Sequence, residues 1–121
     1  MLKPAPPDKT PESRRTQMYK GALELALLSL LQDGAQYGLR ILDSLRDQAG
    51  LDLSEGTLYP LLHRLEKGGL IAAEWRHEQD ASHPRKYYGL TTAGATDLIE
   101  QRQACLDMTG RLNAFLTRSG Q

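Results

Sequence analysis

Residues 54–71 constrain the fold more than any other stretch, because they combine an amphipathic helix, a glycine stop and the start of a strand. Leucines recur here at intervals of three and four residues, which places them on one helical face. They are Leu58, Leu61, Leu62 and Leu65. Gly68 and Gly69 follow, and glycine ends helices because it adopts the left-handed conformation without a Cβ clash. Such a helix packs through its leucines, and we expect its opposite face to meet a partner, with nucleic acid the first candidate.

The outward face of this predicted helix carries small, polar and cationic residues. Near its N-terminus, Ser54, Gly56 and Thr57 would present backbone N–H groups and a partial positive charge to a phosphate. Gly56 would let a duplex come close, since no side chain projects from it. Tyr59 can hydrogen-bond a phosphate or pack on a thymine methyl, and Arg64 can pair with phosphate or guanine. The other candidate DNA contacts on this face are Pro60 and His63. The alternative is an ordinary surface helix of a bundle.

The start of this helix has two possible positions. If Thr57 is the N-cap, Pro60 falls in the first turn, where its missing N–H would have no helical partner anyway. If Ser54 is the N-cap, Pro60 lies in the helix interior, and a slight bend at Gly56 must accommodate it. The sequence leaves both positions open.

Composition bounds the class of protein. The 121 residues, 40% hydrophobic and 25% charged, suit one soluble globular domain. Lys and Arg number 15, and Asp and Glu number 15, so the whole molecule lacks the basic character of many nucleic-acid-binding proteins. The single cysteine, Cys105, excludes an internal disulfide and suits a reducing compartment. No apolar run approaches the roughly 20 residues that span a bilayer. We therefore expect a cytoplasmic protein with no membrane partner.

Two further helices are predicted before residue 54. The first begins near Ser13 or Thr16, ends at Leu31 and is apolar on almost every side, which predicts burial on more than one side. A second helix spans residues 36–48. The proline-rich residues 1–12 are predicted to form a disordered tail.

After the third helix, the hydrophobic period changes from helical to alternating. Residues 71–76 predict a half-exposed strand, and residues 85–90 predict the returning strand across a polar loop. Thr91 or Thr92 then caps a last helix that runs to about Thr117.

Three helices followed by a two-stranded hairpin is the element order of a winged helix-turn-helix. The predicted fold is therefore mainly α with a small β-hairpin, which we call the wing (residues 71–90). A DNA-binding domain of residues 13–91 would precede a C-terminal dimerisation helix in residues 92–121. In such a domain one helix crosses the DNA backbone while the next lies in the major groove.

The wing and the second helix supply the remaining candidate DNA contacts. Arg85 and Lys86 are adjacent cations at the exit of the loop, which suits contact with phosphates or a minor groove. The alternative for this segment is a solvated turn. The other candidates are Tyr37, Arg40 and His83, although the position of Tyr37 suits packing equally well. Trp75 and Tyr88 are predicted to form the apolar core of the wing.

Several motifs together resemble the PadR family of bacterial transcriptional regulators. They are Tyr37-Gly38, residues 56–60 with 64–66, Trp75, residues 84–88, Leu90-Thr91 and Gly94. The resemblance runs from about Lys20 to Gly94. The combination of Leu58-Tyr59-Pro60 with residues 84–88 is highly specific for this family, whereas the sequence pattern of residues 65–71 is common to many winged helices.

The resemblance implies a homodimer that binds a near-palindromic, inverted-repeat operator in double-stranded DNA, generally as a repressor. It also implies that a small aromatic or drug-like effector releases DNA in some members. The short C-terminal region resembles the family's short type, which has a single C-terminal helix. One departure is Ser82-His83, where the family usually has Gly-Arg. Wing contacts would then be weaker, or dependent on the protonation of His83.

The last helix carries an apolar stripe that is too irregular for a coiled coil. Little of its own domain remains to cover this stripe, so we expect it to meet a partner subunit together with the first helix; folding back within the monomer is the alternative. The predicted dimerisation residues are Leu23, Leu27, Leu98, Ile99, Leu106, Leu112, Phe115 and Leu116.

No catalytic or metal-binding constellation is apparent. His63, His77, His83 and Cys105 are scattered without zinc-ligand spacing. The sequence thus predicts a dimeric DNA-binding regulator, without cofactor or enzymatic activity. Its rival is a winged helix used as a protein-interaction module without DNA binding, which the neutral net charge favours slightly.

Overall fold

The computed structural model describes residues 2–3, 11–79 and 82–118. Within these ranges the elements follow in order: α1 (Pro11–Leu31), β1 (Gln36–Tyr37), α2 (Gly38–Ala49), α3 (Glu55–Lys67), β2 (Ile71–Arg76), β3 (Arg85–Leu90) and α4 (Thr92–Leu116). The predicted disordered tail, residues 1–12, lies mostly outside the described residues. Helix α1 begins at Pro11, a little before the predicted start. The mainly helical winged architecture is confirmed.

One apolar core joins all four helices and the sheet. The four leucines predicted to share one face of α3 are all buried, so this part of the prediction is confirmed. The side chains with almost no exposed surface are Leu27, Leu28, Ile41, Leu58, Leu62, Ile71 and Leu98. Close packing of such side chains fixes α3 against α2 and β2, and therefore fixes which face of α3 points outward.

The wing belongs to a three-stranded sheet, whereas the sequence predicted a two-stranded hairpin. The strand order is β1-β3-β2, and β1 pairs antiparallel with β3 through Gln36 opposite Tyr88 and Tyr37 opposite Tyr87. The predicted helix start at Gln36 is therefore wrong, and α2 begins at Gly38. A two-residue strand has too few residues to show an alternating pattern, so only the pairing with β3 reveals it.

The start of α3 is resolved in favour of Ser54. Its Oγ accepts a hydrogen bond from the Thr57 N–H at 3.2 Å, and its backbone is extended, as an N-cap requires. Pro60 consequently lies inside the helix rather than in its first turn. Because proline has no N–H, the carbonyl of Gly56 loses the donor that position 60 would otherwise supply. That carbonyl belongs to the exposed N-terminal part of α3.

A compact junction joins the wing to α4. Thr91 caps α4, as predicted: its Oγ1 accepts from the Gly94 N–H at 3.0 Å and donates to the Gly69 carbonyl at 2.7 Å. The Thr91 N–H also donates to the Leu70 carbonyl at 3.1 Å. Gly94 is buried here, and a Cβ on it would lie 2.9 Å from the Leu70 carbonyl carbon. Glycine is therefore required where α4 crosses the end of α3 and the start of β2.

Candidate nucleic-acid interface

The outward face of α3 is open to solvent along its length. Gly56, Thr57, Pro60 and His63 are all exposed, and the Arg64 side chain retains 65% of its accessible surface. A Cβ built on Gly56 would meet only the Ser54 Oγ, at 3.7 Å, so the protein itself does not require glycine at this position. The absence of a side chain there leaves the backbone near the helix N-terminus accessible to a partner.

Tyr59 differs from its neighbours on this face, because its ring lies on α2. A Cβ at Gly38 would fall 2.8 Å from the Tyr59 Cζ and 2.9 Å from its Cε1. The Tyr59 side chain is still 40% exposed, so one side of the ring packs and the other faces outward. Burial, reinforced by the nearby Glu55 carboxylate, raises the pKa of Tyr59 above its ordinary value. The hydroxyl is therefore a neutral donor at physiological pH.

A cleft of about 350 Å³, which we call the wing cleft, separates α3 and the start of α2 from the wing. Its lining residues are Tyr37, Gly38, Leu39, Tyr59, Trp75, His83, Pro84, Arg85, Lys86 and Tyr88. Five of the residues predicted to contact DNA therefore line one concave surface: Tyr37, Tyr59, His83, Arg85 and Lys86. The others lie outside this lining, on the rest of α3 and, for Arg40, on the exposed side of α2.

Trp75 was expected in the core of the wing, and the structure shows that this prediction is wrong. Its side chain is 69% exposed, whereas Tyr88 is buried as predicted. The strand alternation did place Trp75 on the same side as buried Ile71, but exposure increases along β2, and Trp75 lies near its exposed end. Leu39, 55% exposed on the same cleft, was missed because nothing in the α2 pattern marked it.

The two wing cations lie over aromatic rings on opposite faces of the sheet. The Arg85 guanidinium stands 4.5 Å from the centroid of Tyr37, and the Lys86 Nζ stands 5.5 Å from that of Tyr88. The Tyr37 ring in turn meets Tyr87 edge-on, with centroids 5.5 Å apart. Cation–π contact of this kind restricts long side chains without neutralising their charge. Tyr37 therefore packs and positions Arg85, and because it also lines the wing cleft, its contact with DNA stays a prediction.

Carboxylates stand beside three of the predicted DNA-binding cations. Arg64 in α3 is 3.7 Å from Glu24 in α1. Lys86 is 3.9 Å from Glu66, and Arg85 is 3.8 Å from Glu78. Exposed pairs at these separations stabilise a fold by only about 0–1 kcal/mol each, but each lowers the local positive potential that a phosphate would meet. The pairs of Arg64 and Lys86 join residues 40 and 20 positions apart in the chain, so no local pattern indicates them, whereas Arg85 and Glu78 face each other across the wing hairpin.

The outer side of the wing holds a polar network around Tyr87. Its hydroxyl donates to the Glu78 carboxylate, and this hydrogen bond is the main cause that raises the pKa of Tyr87. Arg76 lies 4.5 Å from the Tyr87 ring centroid and pairs with Glu74 at 2.6 Å. At the tip, the His83 Nδ1 lies 2.9 Å from the Ser82 Oγ. These contacts stiffen the described part of the wing.

The predicted dimerisation residues fall into two groups. Leu23, Leu27 and Leu98 are buried in the core of the chain itself, so they are not available to a partner and must be removed from that set. The remaining α4 residues are 50% to 64% exposed, although all are large and apolar. They are Ile99, Leu106, Leu112, Phe115 and Leu116, together with Met108, which the sequence analysis did not select.

No three His, Cys, Asp or Glu side chains of the described residues group as they would around a metal ion. None of the described helices is long and apolar enough to cross a membrane.

Comparison with known proteins gives a consistent result. The model of the "Transcriptional regulator PadR-like family" matches residues 27–100. A transcriptional regulator of Mycobacterium tuberculosis is 35% identical over 88 residues, which cover 73% of this chain and 79% of that protein. The crystal structure of a PadR family transcriptional regulator from Eggerthella lenta superposes with a TM-score of 0.76 at 33% identity, over 89% of this chain and 93% of that one. The crystal structure of a PadR-like transcriptional regulator from Bacillus cereus superposes with a TM-score of 0.75 at 32% identity, over 83% of this chain and 96% of that one.

Proposed function

We propose that this chain, which belongs to the PadR-like family of transcriptional regulators, is a dimeric repressor of a near-palindromic operator. Members of this family are transcriptional regulators rather than enzymes; they bind DNA and generally act as dimers. For this chain, we propose the near-palindromic operator, the repression of transcription and the residues that contact DNA. The observation that carries the proposal is the wing cleft, in which the recognition helix and the wing cations form one continuous surface.

Helix α3 enters the major groove through its outward face. The first turn of α3, with Gly56 and Thr57 exposed, supplies N–H donors and a partial positive charge for a phosphate. Arg64 lies two turns further along, where its guanidinium can reach guanine or phosphate. Tyr59 contacts DNA with the side of its ring that Gly38 leaves free. The leucine face beneath holds the helix in place, so recognition starts from a preorganised surface.

The wing lies beside α3 and contacts the flanking backbone. Arg85 and Lys86 supply the charge, with His83 at the tip as a further donor. In a symmetric pair the same surface occurs twice. The inverted half-sites should then be separated by about 34–36 Å, one turn of duplex or a multiple of it.

The exposed apolar side of α4 supports pairing of two chains. Large apolar side chains seldom form a contiguous exposed stripe on a monomer, because their burial stabilises an interface by about 25 cal/mol per Å². The stripe from Ile99 to Leu116 follows Leu98, after which none of the described α4 residues is buried. We assign it to the two-fold interface.

The test begins with operator selection from a random duplex pool, and with footprinting on the DNA upstream of the chain's own gene. Enrichment of an inverted repeat is the expected result. Tyr59→Ala and Arg64→Ala should each cost on the order of 1–3 kcal/mol in affinity for the selected duplex. Arg111→Ala, on α4, is a control that should bind normally. Selection without enrichment, or normal binding by both α3 variants, would refute the groove assignment.

The rival function, a protein-interaction module, has one observation in its favour. The carboxylates beside Arg64, Arg85 and Lys86 reduce the charge available to phosphates. Salt dependence separates the two functions, because log K falls steeply with log salt when phosphates are neutralised. A steep slope with the selected duplex supports DNA binding. No detectable duplex binding even at low salt would favour the module.

A small aromatic or drug-like effector that releases the operator completes the proposal. The apolar α4 stripe would line a seam between paired chains, and such a seam suits an apolar ligand. A thermal-shift screen of phenolic and drug-like compounds tests this, followed by operator release for each compound that stabilises the protein. Uniform absence of a shift across the screen would refute regulation by this class of compound.

A further inference from the structure

The exposure of Trp75 requires an explanation that the packing of the chain does not supply. A tryptophan side chain can remove some 150–250 Å² of mostly apolar surface from water when it is buried, yet 69% of this one remains accessible. Its cross-strand neighbour Lys86 leans over Tyr88 rather than over the indole. Trp75 thus presents an uncovered aromatic face to the wing cleft, and Leu39 stands exposed on the same cleft.

The wing cleft combines this apolar surface with cationic groups. Aromatic side chains account for four of its lining residues, whereas Arg85, Lys86 and His83 supply the polar rim. Among the described residues no acidic side chain lines it; Glu66 and Glu78 reach the rim cations from outside the lining. The cleft therefore favours an occupant with an anionic group beside an apolar one.

The outer surface of a DNA duplex has this composition. Bases are stacked, so their faces are covered, and the surface between the grooves consists of phosphates joined by deoxyribose rings. A phosphate complements Lys86 and Arg85 by charge, while a deoxyribose offers C–H groups that pack against an indole. With α3 in a major groove and the wing at the adjacent minor groove, the cleft between them would meet the backbone strand that separates the two grooves.

We propose that the wing cleft receives one phosphate–deoxyribose segment of the operator, and that Trp75 is a DNA-contacting residue within it. The phosphate lies beside Lys86, with Arg85 adding positive charge from the rim of the cleft, and the sugar packs on Trp75 and Leu39. This inference rests on the proposed function, because it assumes that α3 and the wing meet the same duplex. It assigns a role to Trp75, which the sequence predicted in the core of the wing, and to Leu39, which the sequence analysis did not select.

Intrinsic fluorescence tests the contact directly, because Trp75 is the only tryptophan in the chain. The free protein should emit as an exposed indole and be readily quenched by acrylamide. Titration with the selected operator duplex should change the emission and protect it from acrylamide, with a midpoint equal to the affinity measured by anisotropy of a labelled duplex. Unchanged emission and quenching on a saturated complex would overturn the proposal while leaving operator binding intact.

A second test separates contact from support of the wing. Trp75→Ala should weaken operator affinity about tenfold, whereas Trp75→Phe, which keeps a flat apolar ring, should lose much less. Since Trp75 carries no charge, the slope of log K against log salt should stay as in the parent protein; Lys86→Ala, the matched control, should reduce that slope by about 0.9 for each subunit bound to the operator.

Two results would overturn the assignment of Trp75. One is parental affinity in Trp75→Ala. The other is a reduced salt slope in that variant, because it would show that the indole only holds the wing cations in place. Thermal unfolding of both Trp75 variants at the parental temperature confirms that the fold is intact. Failure of the parent protein to bind any selected duplex is a different result, since it would refute the proposed function itself.

Discussion

The Tyr59 ring of α3 lies directly on the Cα of Gly38 at the start of α2. A Cβ at position 38 would approach the Tyr59 Cζ within 2.8 Å, a distance that real side chains do not adopt. Gly38 and Tyr59 belong to two motifs, Tyr37-Gly38 and Leu58-Tyr59-Pro60. These motifs are some twenty residues apart in the chain, but they are in contact in the folded protein. This contact fixes the spacing of the two helices that form the helix-turn-helix.

Gly38→Ala should therefore destabilise the domain and weaken operator binding together. The added methyl group must displace an aromatic ring, and overpacking of this kind costs about 1–3 kcal/mol. Urea unfolding measures the first effect and anisotropy of a labelled operator measures the second.

Gly21→Ala is the matched control for that substitution. No atom lies within 4 Å of a Cβ at position 21 in α1, so alanine there should stabilise the helix by roughly 0.5–1 kcal/mol. In a Tyr59→Ala background, Gly38→Ala should lose most of its cost, since neighbouring substitutions are not additive. Equal costs in both backgrounds would contradict the contact.

Gly56→Ala should separate binding from stability. The protein tolerates a methyl group at Gly56, because its nearest neighbour would be the Ser54 Oγ at 3.7 Å. We expect unchanged or slightly higher resistance to urea, together with operator affinity reduced on the order of tenfold, if the duplex approaches this backbone closely. Full affinity in this variant would place the duplex farther from the first turn of α3.

Glu66→Gln should strengthen DNA binding. Removing this carboxylate releases Lys86 and takes a negative charge away from the phosphates, so affinity should rise several-fold at low salt and the salt slope should steepen. Asp107→Asn, which breaks the pair with Arg111 on α4 at 3.4 Å, is the control and should change neither quantity. Unrelated duplexes should gain as much affinity as the operator, because phosphate contacts carry no sequence information. Weaker binding in Glu66→Gln would show that the pair positions Lys86 instead.

Charged substitutions in the α4 stripe should produce monomers. Leu112→Glu and Phe115→Glu place carboxylates within the proposed seam, where burying an unpaired charge is costly. Sedimentation equilibrium should show a mass of one chain, and operator affinity should fall because the two half-sites are no longer bound together. Ala114→Glu, exposed on the side of α4 opposite Leu112 and Leu116, should remain dimeric. A dimeric Leu112→Glu protein would exclude this stripe as the interface.

Alkaline pH should weaken the fold through its tyrosines. The hydrogen bond to Glu78 raises the pKa of Tyr87, and burial raises the pKa of Tyr59 and Tyr88. The folded state therefore keeps protons that the unfolded chain releases above about pH 10. This stabilisation is complete below that pH and is lost as pH rises through the folded pKa values. The free energy of unfolding should decline over that window, less steeply in Tyr87→Phe. An identical decline in that variant would contradict the role of Tyr87.

The sequence predicted the elements whose pattern is long and regular. The leucine face of α3, the strands at 71–76 and 85–90, and the Thr91 cap of α4 are local signals, and the structure agrees with each. It missed β1, since two residues are too few to show a period and only pairing with β3 defines them.

The errors at the site have one physical origin. Alternation along β2 reports which side of the sheet a residue faces, but it does not report how exposure changes along the strand. Trp75 accordingly faces the same side as Ile71 and is nevertheless exposed. Leu98 was assigned to the dimer interface for a similar reason. The apolar pattern of α4 does not show that Leu98 is buried in the chain's own core, whereas the larger apolar residues after it are exposed. Glu24 and Glu66, the carboxylates beside Arg64 and Lys86, belong to other helices or strands than the cations they pair with, so no local pattern could have revealed these two pairs.

The junction at Gly94 bears on operator choice, although it lies away from the groove-facing residues. Contact between the Gly94 backbone and the Leu70 carbonyl determines the direction in which α4 leaves the sheet. In a pair joined through α4, that direction sets the distance and rotation between the two recognition helices. The length of the operator's central spacer would then be encoded at this junction, so related chains could acquire new target sites by changing the tilt of α4 while every base-reading residue stayed the same.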